Sequence, residues 1–316
     1  MIQKILQRPE FDQQPPVLID VGASGRLHPI WRRVAPYAIC VAFDADARDF
    51  AYATDEKGKY RKLYTFNCIV TDTEAPEIDF HLTAHPHCSS LLRPQSELLQ
   101  EYDFAWKFDV DRKIKLKNRS LNSVLAELKL DYVDWFKTDS QGLDWRLFEN
   151  LGPRKNGVKV AEFEPGIISS YEGEDKMYSL LAGMEQNGHF WMSDFVVKGS
   201  PRIKKAALNQ FGKQGFWRKL HYFAHKQTPG WGEITYLNRF DNPQTTLRDY
   251  LLGWVFAILC QQHGFALLLI EKARVHFNDA AFDDMETYTK RQISGRVWKL
   301  KFWHAVVLKW NDLLNA

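Results

Sequence analysis

The sequence predicts an α/β fold built on a mostly parallel β-sheet. Short apolar runs that end in a carboxylate recur at Val17–Asp20, Ile39–Asp44 and Tyr132–Asp139, and helix-forming stretches separate them. Such alternation is typical of βαβ units, which join parallel strands through crossover helices. After about residue 199 the composition shifts to Lys, Arg, Trp and Phe with helical periodicity. We therefore expect a Rossmann-like, doubly wound sheet followed by a helical C-terminal extension.

The first half of this predicted sheet follows from three apolar runs. Val17–Asp20 leads into a Gly-rich turn, the pattern of a buried strand entering a helix, which we place at Pro29–Ala35. Ile39–Asp44 is the second strand and Leu63–Val70 the third. Residues 71–120 consist of short alternating pieces that favour exposed antiparallel strands, so we expect a β insertion there.

The second half of the sheet follows the insertion. Ser120 caps a helix predicted at Leu121–Leu128, and Tyr132–Asp139 is the next strand. A helix at Leu143–Leu151 ends at Gly-Pro, and a strand at Gly157–Phe163 follows it. Strands in both halves therefore end in acids, which a parallel sheet brings to one edge.

The composition and domain boundaries indicate a folded intracellular protein. The 316 residues, 45% of them hydrophobic, are enough for a large core. The 42 basic and 39 acidic side chains are too balanced to indicate nucleic acid binding. Four cysteines without CxxC spacing and an N-terminus without a signal-peptide core predict a reduced, cytoplasmic protein. We divide it into domains at 1–199, with the insertion near 71–120, and at 200–316, mainly helical.

The C-terminal extension leaves two interpretations open. Arg291–Leu314 places tryptophans and other apolar residues at helical intervals among basic ones. Such a helix lies on the inner face of an anionic membrane, as a peripheral contact, or packs against the first domain with its basic stems over apolar surface. Pro229–Gly232 predicts a turn. The sequence predicts no particular oligomeric state.

Residues at the predicted strand ends form a candidate ligand site. Gly22 and Gly25 let the backbone bend and approach a ligand, while Asp20 can accept a hydrogen bond from a cationic amine. Asp44, with Asp46 a near-equal candidate, is placed to bind a ribose diol. The alternative is that the glycines form only a strand-to-helix turn and that the acids are caps or solvated.

Other nucleotide and metal sites find less support. The chain has no complete G-x-G-x-x-G run, which disfavours NAD, and no G-x-x-x-x-G-K-[ST] motif, which disfavours a phosphate-cradling hydrolase. His81, His85, His87 and Cys88 carry zinc-binding atoms, but no second cluster completes a tetrahedral site. We interpret them as a surface loop and predict no metal.

Four segments together resemble the FkbM family of methyltransferases. In the family's order and within roughly residues 17–195, they are Leu18–Ala23, Val41–Asp46, Phe136–Gly142 and Val160–Glu162. The resemblance implies a class I methyltransferase sheet that binds S-adenosyl-L-methionine. It also implies O-methylation of a sugar, glycan or secondary metabolite hydroxyl, so that the partner is a small-molecule or glycan acceptor. The cofactor-binding residues expected are Asp20, Gly22, Ala23, Ser24, Gly25, Asp44, Ala45 and Asp46.

The chain departs from the family pattern at several of these positions. Gly25 comes one residue early, and Asp44 stands where glutamate is usual. Gln141 and Asp144 replace two glutamates. Gln141 keeps hydrogen-bonding capacity but carries no charge.

Methyl transfer to a hydroxyl needs a base for its proton. Asp139 is the first candidate for this base; Lys137 is expected to orient substrate, and Glu162 or Glu164 to bind substrate hydroxyls or act as the base instead. The structural alternative is that Lys137 reaches solvent and Asp139 caps the following helix. Two other functions stay open: an NAD or nucleotide-sugar enzyme of the same sheet class, and a non-catalytic glycan- or membrane-associated scaffold with a decayed site.

Overall fold

The computed structural model describes residues 1–23, 28–46, 48, 57–211 and 215–314, without the side chains of residues 57, 299–302 and 304–314. Internal contacts divide the chain into two compact units. One unit is Pro15–Arg239, and the other joins Met1–Gln14 to Phe240–Ala316. This division differs from the sequence-based boundary at residue 199, because a pair of adjacent strands continues across that residue.

The larger unit is organised around one mixed β-sheet. The strands of the described chain are β1 (Val17–Val21), β2 (Ile39–Phe43), β3 (Lys62–Phe66), β4 (Ile69–Thr71), β5 (Ile78–Thr83), β6 (Val110–Leu116), β7 (Asn118–Ser120), β8 (Trp135–Thr138), β9 (Val160–Phe163), β10 (Phe190–Pro201) and β11 (Gln227–Asn238). Seven of them form a sheet in the order β10-β11-β9-β8-β1-β2-β3. In the insertion, β4 pairs with β7, and β5 pairs antiparallel with β6.

The direction of the strands defines the fold class. The neighbours β3, β2, β1, β8 and β9 run parallel, whereas β11 is antiparallel to both β9 and β10. Among the described strands of this sheet, β11 alone is therefore reversed. Numbered along the chain, the parallel strands follow the Rossmann order 3-2-1-4-5-6, with β11 inserted between the last two. The predicted class, a Rossmann-like, mostly parallel sheet with a helical C-terminal region, is confirmed.

Helices flank this sheet and build the second unit. The described α-helices are α1 (Ile2–Leu6), α2 (Pro9–Gln13), α3 (Ser96–Leu99), α4 (Leu121–Glu127), α5 (Asp144–Asn150), α6 (Met177–Asn187), α7 (Lys205–Leu208), α8 (Phe216–Ala224), α9 (Leu247–Leu259), α10 (His263–His276) and α11 (Ala281–Leu314). The helix expected at Pro29–Ala35 is present as two 3₁₀ turns, Pro29–Arg33 and Ala35–Tyr37.

Two segments differ from the sequence-based prediction. The apolar run Leu63–Val70 is not one strand, because the Asn67 side chain donates a hydrogen bond to the Asp44 carbonyl and the chain leaves the sheet there. The second is Pro229–Gly232, predicted as a turn inside a helical region. It lies within β11, where Pro229 stands opposite Gly199 at a register shift. A proline is tolerated at such an irregularity because it donates no ladder hydrogen bond.

One face of the sheet carries the apolar core. Alternate side chains of β1, β2 and β8 point to this face, and they pack against α4 and α5. The contributing residues include Ile19, Val21, Val41, Phe43, Phe136, Val124, Leu125, Leu147 and Phe148. This packing holds the carboxyl ends of the central strands at one edge, which is where acids were predicted.

The second unit is a helical assembly around α9. Eleven of the thirteen α9 residues are buried, and Thr246 and Asp249 form a capping box at its start. Arg8 connects the N-terminal segment to the same unit through a salt bridge to Asp279 at 2.6 Å. Among the described residues, no helix is long and apolar enough to cross a membrane.

Candidate functional site

A cleft opens at the point where the strand order reverses, between β1 and β8. Ligands of doubly wound sheets bind outside the carboxyl ends of the strands at this point. The cleft is narrow, with a volume of about 80 Å³. Its walls include Gly22, Phe43, Asp44, Ala45, Asp46, Cys68, Ile69, Phe80, Asp139 and Gln141. It therefore brings together five of the predicted site residues, Gly22, Asp44, Ala45, Asp46 and Asp139.

Gly22 shapes the turn after β1. Its φ is +78°, and a Cβ atom added there would lie 2.1 Å from the Asp139 carbonyl oxygen. The amides of Gly22 and Ala23 donate hydrogen bonds to the Phe43 carbonyl at 3.0 and 2.9 Å. Only glycine satisfies both the left-handed conformation and the close approach. The turns after β1, β2 and β8 are thus locked together; Ser24 and Gly25 lie outside the described residues.

The two acids after β2 have different surroundings. Asp46 accepts hydrogen bonds from Nε and Nη2 of Arg48, the latter at 2.5 Å, which occupy both of its oxygens. Asp44 is 7% exposed and accepts the Asp46 amide at 2.7 Å. Both acids line the cleft, and Arg48 engages Asp46. Ala45 packs with the apolar wall formed by Ile69 and Phe80.

Asp20, Lys137 and Glu162 form a row across three neighbouring strands. They are register partners on β1, β8 and β9, and Lys137 Nζ lies 2.8 Å from Asp20 Oδ1. His28 Nε2 lies 3.4 Å from Glu162 Oε2. None of the four lines the cleft. The side chains of Asp20, Lys137 and Glu162 lie on the sheet face opposite the apolar core, because these residues alternate with core residues along each strand.

Burial controls the ionisation of this row. It lowers the pKa of His28 to about 4, aided by the Lys137 charge, and raises the pKa of Glu162 to about 7. Burial also opposes the charge on Lys137, but the neighbouring Asp20 raises the pKa of that ammonium group. Lys137 is therefore a charged ion-pair partner of Asp20.

A larger cavity, of about 960 Å³, adjoins the cleft and shares His87, Asp139 and Gln141 with it. Aromatic side chains line much of the cavity, namely Phe104, Trp106, Phe108, Tyr171, Tyr222, Phe223 and Trp231. Charged and polar side chains, Glu164 and Lys107 among them, are interspersed. Asp139 thus contacts both spaces, as expected of a group that acts between two bound molecules.

A hydrogen-bond chain fixes the Asp139 carboxylate. Gln141 Nε2 donates to Asp139 Oδ1 at 2.6 Å, and the Tyr171 hydroxyl lies 2.8 Å from Gln141 Oε1 and 2.9 Å from the Cys88 carbonyl. Gln141 has a φ of +55°, uncommon for a residue with a side chain. Strained residues of this kind often occur at functional sites. The amide of Gln141 therefore supports Asp139 without adding a charge.

Glu164 is a second carboxyl group on the cavity wall. Burial, and then the charge of Asp139, raises the pKa of Glu164 well above its usual range. At neutral pH this carboxyl group keeps its proton and can donate a hydrogen bond into the cavity. Glu174, on the same wall, forms a 2.7 Å salt bridge with Lys176.

Asp144 stabilises the loop that carries Asp139 and Gln141. It is fully buried, and its Oδ1 accepts hydrogen bonds from Thr138 Oγ1, Ser140 Oγ and the Ser140 amide at 2.8–3.2 Å. Burial raises the pKa of Asp144 to about 7. The Asp144 carboxyl thus lies beneath the site and not in it, since it lines neither the cleft nor the cavity.

The Asp144→Asn variant is expected to remove a pH dependence of stability. Between pH 4 and pH 7 the folded chain retains a proton on Asp144 that the unfolded chain loses, so stability falls as pH rises through this window. Across this window the free energy of unfolding should fall by about 2–4 kcal/mol more in the parent than in the variant. Urea unfolding from pH 4.5 to 8 measures the difference, and the exposed Asp111→Asn variant should follow the parent. Identical slopes for Asp144→Asn and parent would contradict the assignment.

Several features of the site have no local sequence signal. Tyr171 reaches Gln141 from 30 residues away, and the aromatic wall of the cavity combines residues from 104 to 231. His85 and His87 border the cavity, with ring centroids 5.0 Å apart. In the part of the chain that the structure describes, no group of three or more His, Cys, Asp or Glu side chains is arranged to hold a metal ion.

Comparisons with known proteins find two solved structures. No protein-family model and no curated protein matches the chain. Sp1610 of Streptococcus pneumoniae, assigned as a tRNA (m1A22) methyltransferase, has 11% identity and a TM-score of 0.33, over 92% of this chain and 96% of that one. A SAM-dependent methyltransferase of Geobacter sulfurreducens, solved with S-adenosyl-L-homocysteine, has 8% identity and a TM-score of 0.28, over 75% and 90%. Likeness at this level does not show a function for this chain.

Proposed function

We propose that the chain is a class I methyltransferase that uses S-adenosyl-L-methionine. The observation that carries the proposal is the position of Asp139. It borders a nucleoside-type cleft at the switch point of the sheet and, at the same time, a separate cavity large enough for an acceptor. A group-transfer enzyme needs two adjoining sites of this kind.

The residues of the cleft fit the chemistry of this cofactor. Asp44 offers carboxylate oxygens to a ribose diol, and Phe43, Cys68 and Ile69 provide apolar surface for a purine ring. The turn at Gly22 and Ala23 brings backbone close to the same space. At about 80 Å³ the cleft is smaller than a nucleoside, so the proposal requires that its walls separate on binding. When bound, S-adenosyl-L-methionine supplies an electrophilic methyl group on its sulfonium.

The chain's own residues would prepare the acceptor. Asp139, fixed by Gln141, accepts the proton of the acceptor hydroxyl. Glu164 donates a hydrogen bond to a second acceptor oxygen. Lys137 and Glu162 contribute by joining β1, β8 and β9 beneath the site, since neither lines the cleft or the cavity.

For the acceptor, we propose a sugar or glycan hydroxyl. Aromatic rings interspersed with hydrogen-bonding side chains suit the apolar faces and hydroxyl groups of a pyranose. The resemblance to the FkbM family supports the same acceptor class. O-methylation is the chemistry that a carboxylate base such as Asp139 serves.

Asp44→Ala is expected to weaken S-adenosyl-L-homocysteine binding by about 10- to 100-fold, because the cofactor's ribose loses charge-assisted hydrogen bonds. Isothermal titration calorimetry measures the affinity. The exposed Asp111→Ala variant is the matched control and should bind like the parent. Unchanged affinity in Asp44→Ala would remove the ribose assignment.

The same titrations separate the three functional classes. Binding of S-adenosyl-L-homocysteine without NAD supports the methyltransferase. Micromolar binding of NAD alone would replace it by an NAD enzyme. A folded parent that binds neither would favour the scaffold with a decayed site.

A further inference from the structure

The segment from Arg202 to Lys226 has an unusual composition. Its 25 residues contain seven basic side chains and no acidic one, although the chain as a whole has a formal charge of only +3. Five aromatic residues lie in the same segment: Phe211, Phe216, Trp217, Tyr222 and Phe223. The local excess of positive charge is therefore combined with large apolar side chains.

Helix α8, in the middle of this segment, turns its apolar side to solvent and not to the core. Amphipathic helices normally turn their apolar stripe to the core. Here Phe216, Trp217, Leu220 and Phe223, at helical spacing on one face, are 71%, 66%, 47% and 73% exposed. They form a surface that we call the α8 apolar face.

Polar contacts hold α8 in this orientation. Arg218 Nη2 lies 2.5 Å from Asp103 Oδ1, and the Tyr222 hydroxyl lies 2.8 Å from Ser200 Oγ. Arg218 and Tyr222 are four residues apart and so share the inward face of the helix. The exposure of the α8 apolar face is thus fixed by specific contacts on its opposite side.

We propose that the α8 apolar face binds an anionic membrane surface. A short helix with Phe, Trp and Leu on one face and basic residues beside them is the pattern of helices that lie in the membrane interface. Lys219, Lys204 and Lys226 are exposed and supply the charge that anionic headgroups attract. Nucleic acid also attracts such charge, but a contiguous helical face that includes Leu220 matches acyl chains better than separate stacked bases.

The position of α8 gives this surface a role beyond attachment. Lys205, Arg218, Lys219 and Phe223 line the cavity that contains Asp139. Docking through the α8 apolar face would place that cavity beside the lipid headgroups. The α8 apolar face belongs to a different segment of the chain from helix α11, for which peripheral membrane contact remains a prediction.

The test is co-sedimentation of the full chain with vesicles. We expect binding to phosphatidylcholine vesicles that contain phosphatidylglycerol, weak binding to pure phosphatidylcholine, and weakening as salt rises from 0.1 to 0.5 M. The triple variant Phe216→Ser, Trp217→Ser, Leu220→Ser should bind about tenfold more weakly or worse. None of these three residues lines the cleft or the cavity. The S-adenosyl-L-homocysteine affinity and melting temperature of the triple variant should therefore match those of the parent.

A matched control removes equally exposed apolar side chains elsewhere. The variant Leu98→Ser, Tyr178→Ser, Val275→Ser changes residues that are 57%, 73% and 77% exposed, and it should bind vesicles like the parent. Equal vesicle binding by the α8 variant and parent would overturn the proposal. If the parent bound no vesicles, two further results would show another role for these residues. One is binding of a poly(U) oligonucleotide that the α8 variant loses, and the other is a dimer that the α8 variant loses; either would overturn the proposal. The assay requires no cofactor, so its outcome is independent of the methyltransferase proposal.

Discussion

Asp139→Asn is expected to reduce methyl transfer by about 100- to 10,000-fold, the usual contribution of a positioned base. The amide is isosteric and still accepts the hydrogen bond from Gln141, but it cannot take a proton from a hydroxyl. Transfer of tritium from methyl-labelled S-adenosyl-L-methionine to a glycan and glycolipid extract measures the effect. S-adenosyl-L-homocysteine affinity should stay within about threefold, which separates chemistry from binding.

Two acids of the same cavity serve as controls for Asp139. Glu164→Gln should change methyl transfer little at neutral pH, because the raised pKa of Glu164 already keeps that carboxyl protonated. Asp103→Asn tests a carboxylate that is paired with Arg218 and should also have a small effect. If Glu164→Gln abolished transfer while Asp139→Asn did not, the base would be Glu164.

Gly22→Ala is expected to destabilise the fold by about 3 kcal/mol or more and to abolish cofactor binding. The added Cβ would lie 2.1 Å from the Asp139 carbonyl oxygen, and the φ of +78° disfavours any residue but glycine. Overpacking against backbone and left-handed strain each cost about 1–3 kcal/mol. Relief of the contact moves the β1 and β8 turns apart, so the cleft changes shape. Urea unfolding and calorimetry measure the two effects.

Gly188 separates the two causes in this prediction. It has a similar φ of +69°, but a Cβ atom there meets nothing within 4 Å. Gly188→Ala therefore reports the conformational cost alone, about 1 kcal/mol, and should leave S-adenosyl-L-homocysteine affinity unchanged. A Gly22→Ala variant no less stable than Gly188→Ala would show that the β1 turn can move away from Asp139.

The Asp20–Lys137 pair shows that the sequence pattern predicts where charged residues lie along a strand but not which way their side chains point. The sequence predicted acids at the ends of the strands and Lys137 beside Asp139 in the site. Side-chain direction depends on where the strand ends, however. β8 ends at Thr138, so Lys137 still points to one sheet face, whereas Asp139 lies in the loop at the edge. The register of β1 against β8 then makes Asp20 the partner of Lys137.

The sequence alone determined the class of the fold, and five of its predicted site residues line the cleft at the switch point. Apolar runs, their periods and the turn at Gly22 are local signals, because burial and backbone conformation act residue by residue. Only the tertiary structure decided that β11 enters the sheet reversed, that Tyr171 and Gln141 hold Asp139, and that aromatic residues between 104 and 231 enclose one cavity. Those features depend on contacts between distant segments, which packing selects and no short stretch of sequence encodes.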